Sequence, residues 1–345
     1  METIEVTSVE IHFDANLQTR FPNPPSLFVC LKNEELARKF LLRKYKQANF
    51  QEPERLSYKN VQSFTAYIRQ ALSLFHTALL GERWSQPLLL YYGMMNFIKA
   101  WILTKKPCYP ESTTVLRHGL STRKRKKGQF RFSEDEIRIQ KEGLFPLLAA
   151  QMGVPVQAGD TLSVRELLGL LPDLQPVYQL IFDQCTLFPV RWNLSTPSSP
   201  CLIVSEKILD ECYLTSSAFV EKLNQQVKQT LFSLATPSIR KGKLYLACSL
   251  PAPELVRHPW LLVNKKGDYY LYAGNNRPEP VPEVMCLFML CFSMSMLCRY
   301  DPPLWEEIML QPVHQEQLML EQLINLIARG FPDSMASLFL SSGES

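Results

Sequence analysis

The sequence predicts an α+β fold, predominantly α, with a helical bundle, a small mainly antiparallel β region and C-terminal helices packing back on the bundle. Three observations predict it. Up to about residue 185, apolar residues fall in long runs bounded by helix caps and breakers. From 186 the runs become short, aromatic and β-branched, with prolines between them. After Pro282 the long helical pattern returns.

Residues 1–32 read as irregular to extended: EVTSVEIHF has period-2 character, and Pro22, Pro24 and Pro25 break the stretch after it. Asn33 is placed to cap a helix through EELARKFLLRKYKQA, with acids first and bases later, as the helix dipole favours. Residues 57–80 read as a second helix. Pro87 suits the first turn of a third, LLLYYGMMNFIKAWILTKK, which ends before Pro107 and Pro110. A polar, basic stretch (111–133), the charged segment SEDEIRIQKEG and the apolar GLFPLLAAQMG come next. Residues 161–184 are helical in pattern, with Thr161 or Ser163 as cap of VRELLGLL.

Beyond 186, LFPVRW, PCLIVSEKI, KLYLACSL, PWLLVNKK and DYYLYAG read as strands, and Lys265-Lys266-Gly267-Asp268 as a hairpin turn. One helix, SSAFVEKLNQQVKQTLFSL, interrupts them. VMCLFMLCFSMSMLCRY and HQEQLMLEQLINLIARGF then form helices. The expected organisation is a helical bundle domain over 1–185, a small α/β region over 186–280 and C-terminal helices over 281–345.

The chain has 345 residues, 46% hydrophobic and 20% charged, a composition that excludes disordered, collagen-like and coiled-coil classes. METIEVTSVEIHFD is acidic and lacks the apolar run of a secretory signal. The longest apolar run, Val284 to Cys298, is 15 residues, short of the roughly 20 that span a bilayer, and reads as a buried core helix. Nine cysteines are scattered with no Cys-x-x-Cys, which points to free thiols in a reducing cytoplasm. The five histidines are isolated, and no metal or cofactor is expected.

The formal net charge of +4 hides a strong asymmetry. Residues 117–131, RHGLSTRKRKKGQFR, carry seven Lys/Arg and no acid, so the remaining chain has a net charge of −3. Arg123, Lys124, Arg125, Lys126 and Lys127 are consecutive, with Arg117 and Arg131 at the two ends. Such a run attracts phosphates, and each contact releases counterions from a nucleic acid. On the helix before it, Tyr92, Asn96 and Lys99 are spaced four and three apart and share one face. A lysine on so apolar a helix either snorkels to the surface or, if buried, needs an acceptor, a carboxylate from another helix or a ligand phosphate. Arg117 suits bidentate phosphate binding and His118 proton transfer near neutral pH, while Gly119 permits a sharp turn. Arg117 and His118 are the candidates for any catalysis. Arg299, in RYDPPLW, reads as a helix-terminal structural residue.

SQPLLLYYGMMNFIKAWILT (85–104), VLRHGLSTRKRKK (115–127), EIRIQKEGLFPLL (136–148) and MSMLCRYDPPLWEEI (294–308) resemble the YaaC-like family of Firmicutes. More distantly, a tyrosine-rich, lysine-containing helix followed by His-Gly resembles HEPN-like helical domains. That resemblance implies a HEPN-like bundle and, in active members, metal-independent ribonuclease activity with an Arg-x4–6-His motif. Arg69 and His76 fit this spacing but lie upstream of the YYG helix, so no catalytic residue is carried over.

The expected function is a cytoplasmic, regulatory binding protein for a nucleotide or RNA. Its ligand residues would be Tyr92, Asn96, Lys99, Arg117, His118, the 123–127 run and Arg131. The alternatives are a HEPN-type ribonuclease or phosphodiesterase, and an adaptor whose 186–280 region docks a protein partner such as an enzyme of nucleotide metabolism. No membrane partner is expected.

Overall fold

The computed structural model describes residues 25–122, 130–193, 200–249, 258–274, 280–310 and 316–341. The N-terminal EVTSVEIHF segment lies outside them. Four helices open the described chain: α1 (Ser26–Leu31), α2 (Glu34–Gln47), α3 (Pro53–Leu80) and α4 (Gln86–Lys105). Asn33 caps α2 as expected, accepting from the Glu35 and Leu36 amides. Pro87 occupies the first turn of α4.

α4 is apolar around most of its circumference, and such a surface must be covered. It is: buried residues run along its whole length, and it packs against α2 and α3 as well as three later helices. Gly93 explains part of this closeness. A Cβ there would lie 2.6 Å from the Phe75 ring of α3, so only glycine admits that contact. At the far end, a buried polar lock ties three helices together. Tyr45 donates to the Leu103 carbonyl at 3.0 Å, and Asn60 donates to the Tyr45 hydroxyl (3.0 Å) and the Pro107 carbonyl (2.9 Å).

Between α4 and residue 185 the structure departs from an all-helical reading. β1 (Leu120–Thr122), β2 (Glu136–Ile139) and β3 (Thr161–Ser163) form an antiparallel sheet in that order. Strands of three or four residues, one of them reading EIRI, show too little alternation to stand out. α5 (Leu144–Gln151), α6 (Val164–Gly169) and α7 (Gln175–Phe182) accompany them. Ser163, not Thr161, caps α6, in a capping box with Glu166.

The middle region holds two antiparallel sheets. β4 (Leu187–Pro189) pairs with β10 (Tyr269–Tyr272), which pairs with β9 (Leu261–Val263) across the Lys265–Asp268 turn. β5 (Arg191–Asn193), β6 (Cys201–Ser205), β7 (Phe232–Arg240) and β8 (Lys243–Cys248) form the other, in the order β5-β6-β8-β7. α8 (Lys207–Cys212) and α9 (Ser216–Val227) lie between β6 and β7. The expected long helix stops at Val227, and its TLFSL end belongs to the strand side. Lys228 takes a left-handed conformation, and the Asn224 side chain accepts from the Leu231 and Phe232 amides to turn the chain.

α10 (Glu283–Tyr300), α11 (Pro302–Leu310) and α12 (Glu316–Leu340) return to the bundle, where α10 and α12 both pack on α4. α10 is long and apolar enough to cross a membrane, but 72% of it is buried inside the protein. Its cysteines Cys286 and Cys291 sit in the core as small hydrophobes. At the head of α12, the Glu316 carboxylate accepts from the Phe132 amide (2.7 Å), the Ser133 amide (3.2 Å) and the Ser133 hydroxyl. That ties the last helix to the chain just after the basic segment.

Candidate functional site

The Arg117-His118-Gly119 segment is fixed by its backbone. The carbonyls of Arg117 and His118 accept from the Leu144 and Phe145 amides at 2.8 and 3.1 Å, satisfying the first turn of α5. The Gly119 carbonyl accepts from Gln140 at 2.9 Å. Gly119 adopts φ +77°, the sharp turn expected of it, and its missing side chain lets it sit against Pro146 and Gly143.

This holds the His118 ring between α4 and α10. Its Nδ1 shares a 2.8 Å hydrogen bond with the hydroxyl of Tyr91, which is only 2% exposed. The Tyr91 ring stacks on Phe288 and meets Phe292 at 5.5 Å, and Phe292 also meets the His118 ring. Burial drives the Tyr91 hydroxyl well above its usual range, so it stays protonated. Tyr92, one residue on and 37% exposed, receives a 3.5 Å hydrogen bond from Arg299 Nη1, at the end of α10.

The electrostatics of this corner are one-sided. His118 is held below its usual pKa by burial, by the charge of Arg299 and by that of Lys99. Lys99 is itself lowered by burial, and its ammonium lies 5.8 Å from the Tyr67 ring centroid. Among the described residues, no carboxylate lies within ion-pair distance of Lys99 or Arg299. Lys99 and Arg299 thus each bear with positive charge on His118 and help keep its ring neutral.

Of the other candidates, Arg117 is exposed beside His118. Asn96 is 8% exposed, and its amide is spent on the Tyr92 carbonyl of its own helix at 2.9 Å. Arg131 is exposed on the approach to Phe132. The run Arg123, Lys124, Arg125, Lys126 and Lys127 lies outside the described residues. Thr122 and Phe130, which bracket it, both line a cavity of about 350 Å³ together with Asp135, Ser293, Met296 and Tyr300. Inside it, Ser293 donates to Asp135 at 2.9 Å, and both residues are buried. Arg69 and His76 lie away from this corner, on α3, and line a separate cavity against α12.

Sequence reasoning misses Tyr91 and Arg299. Tyr91 is the buried half of a Tyr-Tyr pair whose exposed half carries the helical spacing. Arg299 reads as a helix-end residue, although its segment is one of the four that carry the family resemblance. Among the described residues, no three His, Cys, Asp or Glu gather as metal ligands would.

A family model described as YaaC-like protein matches residues 29–339. The chain belongs to the YaaC-like protein family. No curated protein and no solved structure matches it. The YaaC-like match includes all four segments singled out in the sequence. Three of them supply the groups around His118: α4 gives Tyr91, Tyr92 and Lys99, the 115–122 stretch gives Arg117 and His118, and the end of α10 gives Arg299. The fourth, which contains β2 and the first turn of α5, holds the His118 backbone in place.

Proposed function

We propose that this protein binds a phosphate-bearing ligand, a nucleotide or RNA, at the corner formed by Tyr92, Lys99, Arg117, His118 and Arg299, and that it acts as a regulatory binding protein in the cytoplasm. One observation carries the reading: Lys99 and Arg299 both repel a proton from His118, with no described carboxylate to balance them. A phosphate group supplies the missing counter-charge by pairing with these cations, and its presence favours a proton on His118. Arg117 supplies a bidentate fork at the edge, and the 123–127 run supplies a long-range field that draws a polyanion toward it.

Fluorescence anisotropy with a labelled single-stranded RNA and with a labelled ATP analogue tests the reading. The double variant Arg123→Glu/Arg125→Glu is expected to lose binding while keeping its circular dichroism spectrum. Unchanged affinity in that variant, or no binding of either probe by the wild type, would refute it. In the second reading, a metal-independent ribonuclease, Arg117-His118 would stabilise charge and move the proton, supported by the hydrogen bond that orients His118 from Tyr91. Incubation with mixed RNA in EDTA, at protein levels that show binding, separates the two: cleavage favours the enzyme and intact RNA the binding protein.

A further inference from the structure

Tyr91 and His118 meet through a single hydrogen bond, and the direction of that bond decides what the imidazole offers a ligand. The Tyr91 hydroxyl lies 2.8 Å from His118 Nδ1, in a residue only 2% exposed. Its surroundings are apolar: the Tyr91 ring stacks on Phe288 at 5.1 Å and meets Phe292 at 5.5 Å between centroids. Among the described residues, the hydroxyl has no hydrogen-bond partner besides Nδ1. Nε2, on the opposite edge of the half-buried His118 ring, has no partner among them.

Two placements of the proton are open to such a pair. If Nδ1 carried it and donated to Tyr91, the phenolic hydrogen would have no acceptor among the described residues, beside the Phe288 and Phe292 rings. A buried donor left unpaired forfeits its full desolvation cost. If Tyr91 donates to Nδ1, both atoms are satisfied, and the proton of the ring sits on Nε2, at its other edge. Full protonation of the ring would force Nδ1 to donate and would strand the same phenolic hydrogen, so this bond favours the uncharged imidazole. Burial favours it as well, and so do the charges of Arg299 on α10 and Lys99 on α4.

We infer that Tyr91 is a positioning residue: its hydroxyl donates to His118 Nδ1 and fixes the imidazole proton on Nε2, so that the ring presents an N–H donor to the corner. Resting on the phosphate reading of that corner, this narrows the group it receives. Nε2–H, the Arg117 and Arg299 guanidiniums and the Lys99 ammonium all donate, and none of them accepts. The group that satisfies them is an oxyanion rich in lone pairs, such as a phosphate. A donor Nε2 cannot take the proton of a ribose 2′-hydroxyl. The fixed tautomer therefore holds an RNA phosphate without activating the neighbouring hydroxyl.

Long-range proton–nitrogen correlation NMR of the full chain, with isotope-labelled histidine at pH 8, tests this, and His118→Gln assigns the signals. His118 is expected to show a bare, pyridine-like Nδ1 and a protonated, pyrrole-like Nε2. Tyr91→Phe keeps the ring and removes only the hydroxyl. In that variant the share of ring protonated on Nδ1 is expected to grow, and the His118 pKa to rise, because the lost bond favoured the uncharged form. A labelled single-stranded RNA is expected to bind the variant about three- to tenfold more weakly. A role in packing alone would move neither the tautomer ratio nor the titration. A protonated Nδ1 in the wild type, an unchanged tautomer ratio in Tyr91→Phe, or a His118 pKa that falls in the variant would overturn the proposal. If the variant does not fold, the wild type still decides: a slowly exchanging Tyr91 hydroxyl proton coupled to Nδ1 supports the inference, and a proton on Nδ1 itself overturns it. The tautomer is read in the free protein, so the two readings fail separately. The expected tautomer with no binding of RNA or of the ATP analogue refutes the phosphate corner and keeps the role of Tyr91.

Discussion

Gly119 and Gly143 pack backbone to backbone: a Cβ on Gly143 would lie 2.4 Å from the Gly119 Cα, and one on Gly119 would lie 2.4 Å from Pro146 Cδ. Both glycines have positive φ, +77° and +135°. Gly119→Ala is therefore expected to destabilise the fold by about 2–4 kcal/mol, from left-handed strain plus overpacking. Urea denaturation checks the number. Because this contact sets the backbone of His118, the same variant is expected to lose ligand affinity under conditions where it is still folded.

His118 provides a pH prediction with a definite sign. Its folded pKa lies below 6.5, so the ring is neutral at pH 7. A base depressed on folding contributes no penalty above 6.5. Its penalty grows as pH falls from 6.5 to the folded value, because the unfolded chain binds the proton first. Wild type is expected to lose stability over that window relative to His118→Gln, as seen in denaturant midpoints at matched pH. A bound phosphodiester reverses the balance by favouring the imidazolium. Oligonucleotide affinity is thus expected to rise as pH falls below 6.5, and this rise is expected to vanish in His118→Gln.

Lys99 and Arg299 should contribute to binding through charge. Lys99→Gln and Arg299→Gln are each expected to weaken a single-stranded RNA about tenfold at low salt. Each should lower the slope of log K against log salt by about 0.7 for every phosphate contact removed. Anisotropy titrations at several salt concentrations measure both. In the free protein, either substitution removes a like charge facing His118, so its pKa should rise toward 6.5, which NMR titration of the imidazole reads directly.

The cysteines divide by exposure. Cys30 and Cys108 are exposed, while burial pushes Cys185 and Cys248 up to about 11, and Cys212 and Cys298 up to about 12. The thiolate is the reactive form. Brief alkylation of the native protein at pH 8 is expected to label Cys30 and Cys108 and spare the others until denaturant is added. Peptide mass spectrometry after a timed quench checks it.

The features legible in the sequence are those written in local chemistry. Asn33, Pro87, Ser163 and the Lys265–Asp268 turn all act within a few residues of themselves, and each stands where capping and turn rules put it. The sheet of β1, β2 and β3 is hidden because its pairing partners are far apart in the chain and each strand is too short for a pattern. The β7 strand is hidden because Phe232 to Leu234 continues the apolar spacing of α9, and only the turn built by Asn224 separates them. At the site, helical spacing finds Tyr92 and Lys99. It cannot find Arg299, which reaches Tyr92 from a helix about two hundred residues later. It also picks out Asn96, whose amide donates to the Tyr92 carbonyl of its own helix.

The position of α4 in the chain bears on how the protein is made. Its apolar surface on one side is covered by α10, whose first residue comes roughly 180 residues after its last. At a synthesis rate of about 5–20 residues per second, that surface waits on the order of 10–35 seconds for its cover. Throughout that interval the face of α4 that meets α10 has no cover from its native partner helix. Chains truncated before Glu283 are therefore expected to aggregate more readily than the full chain.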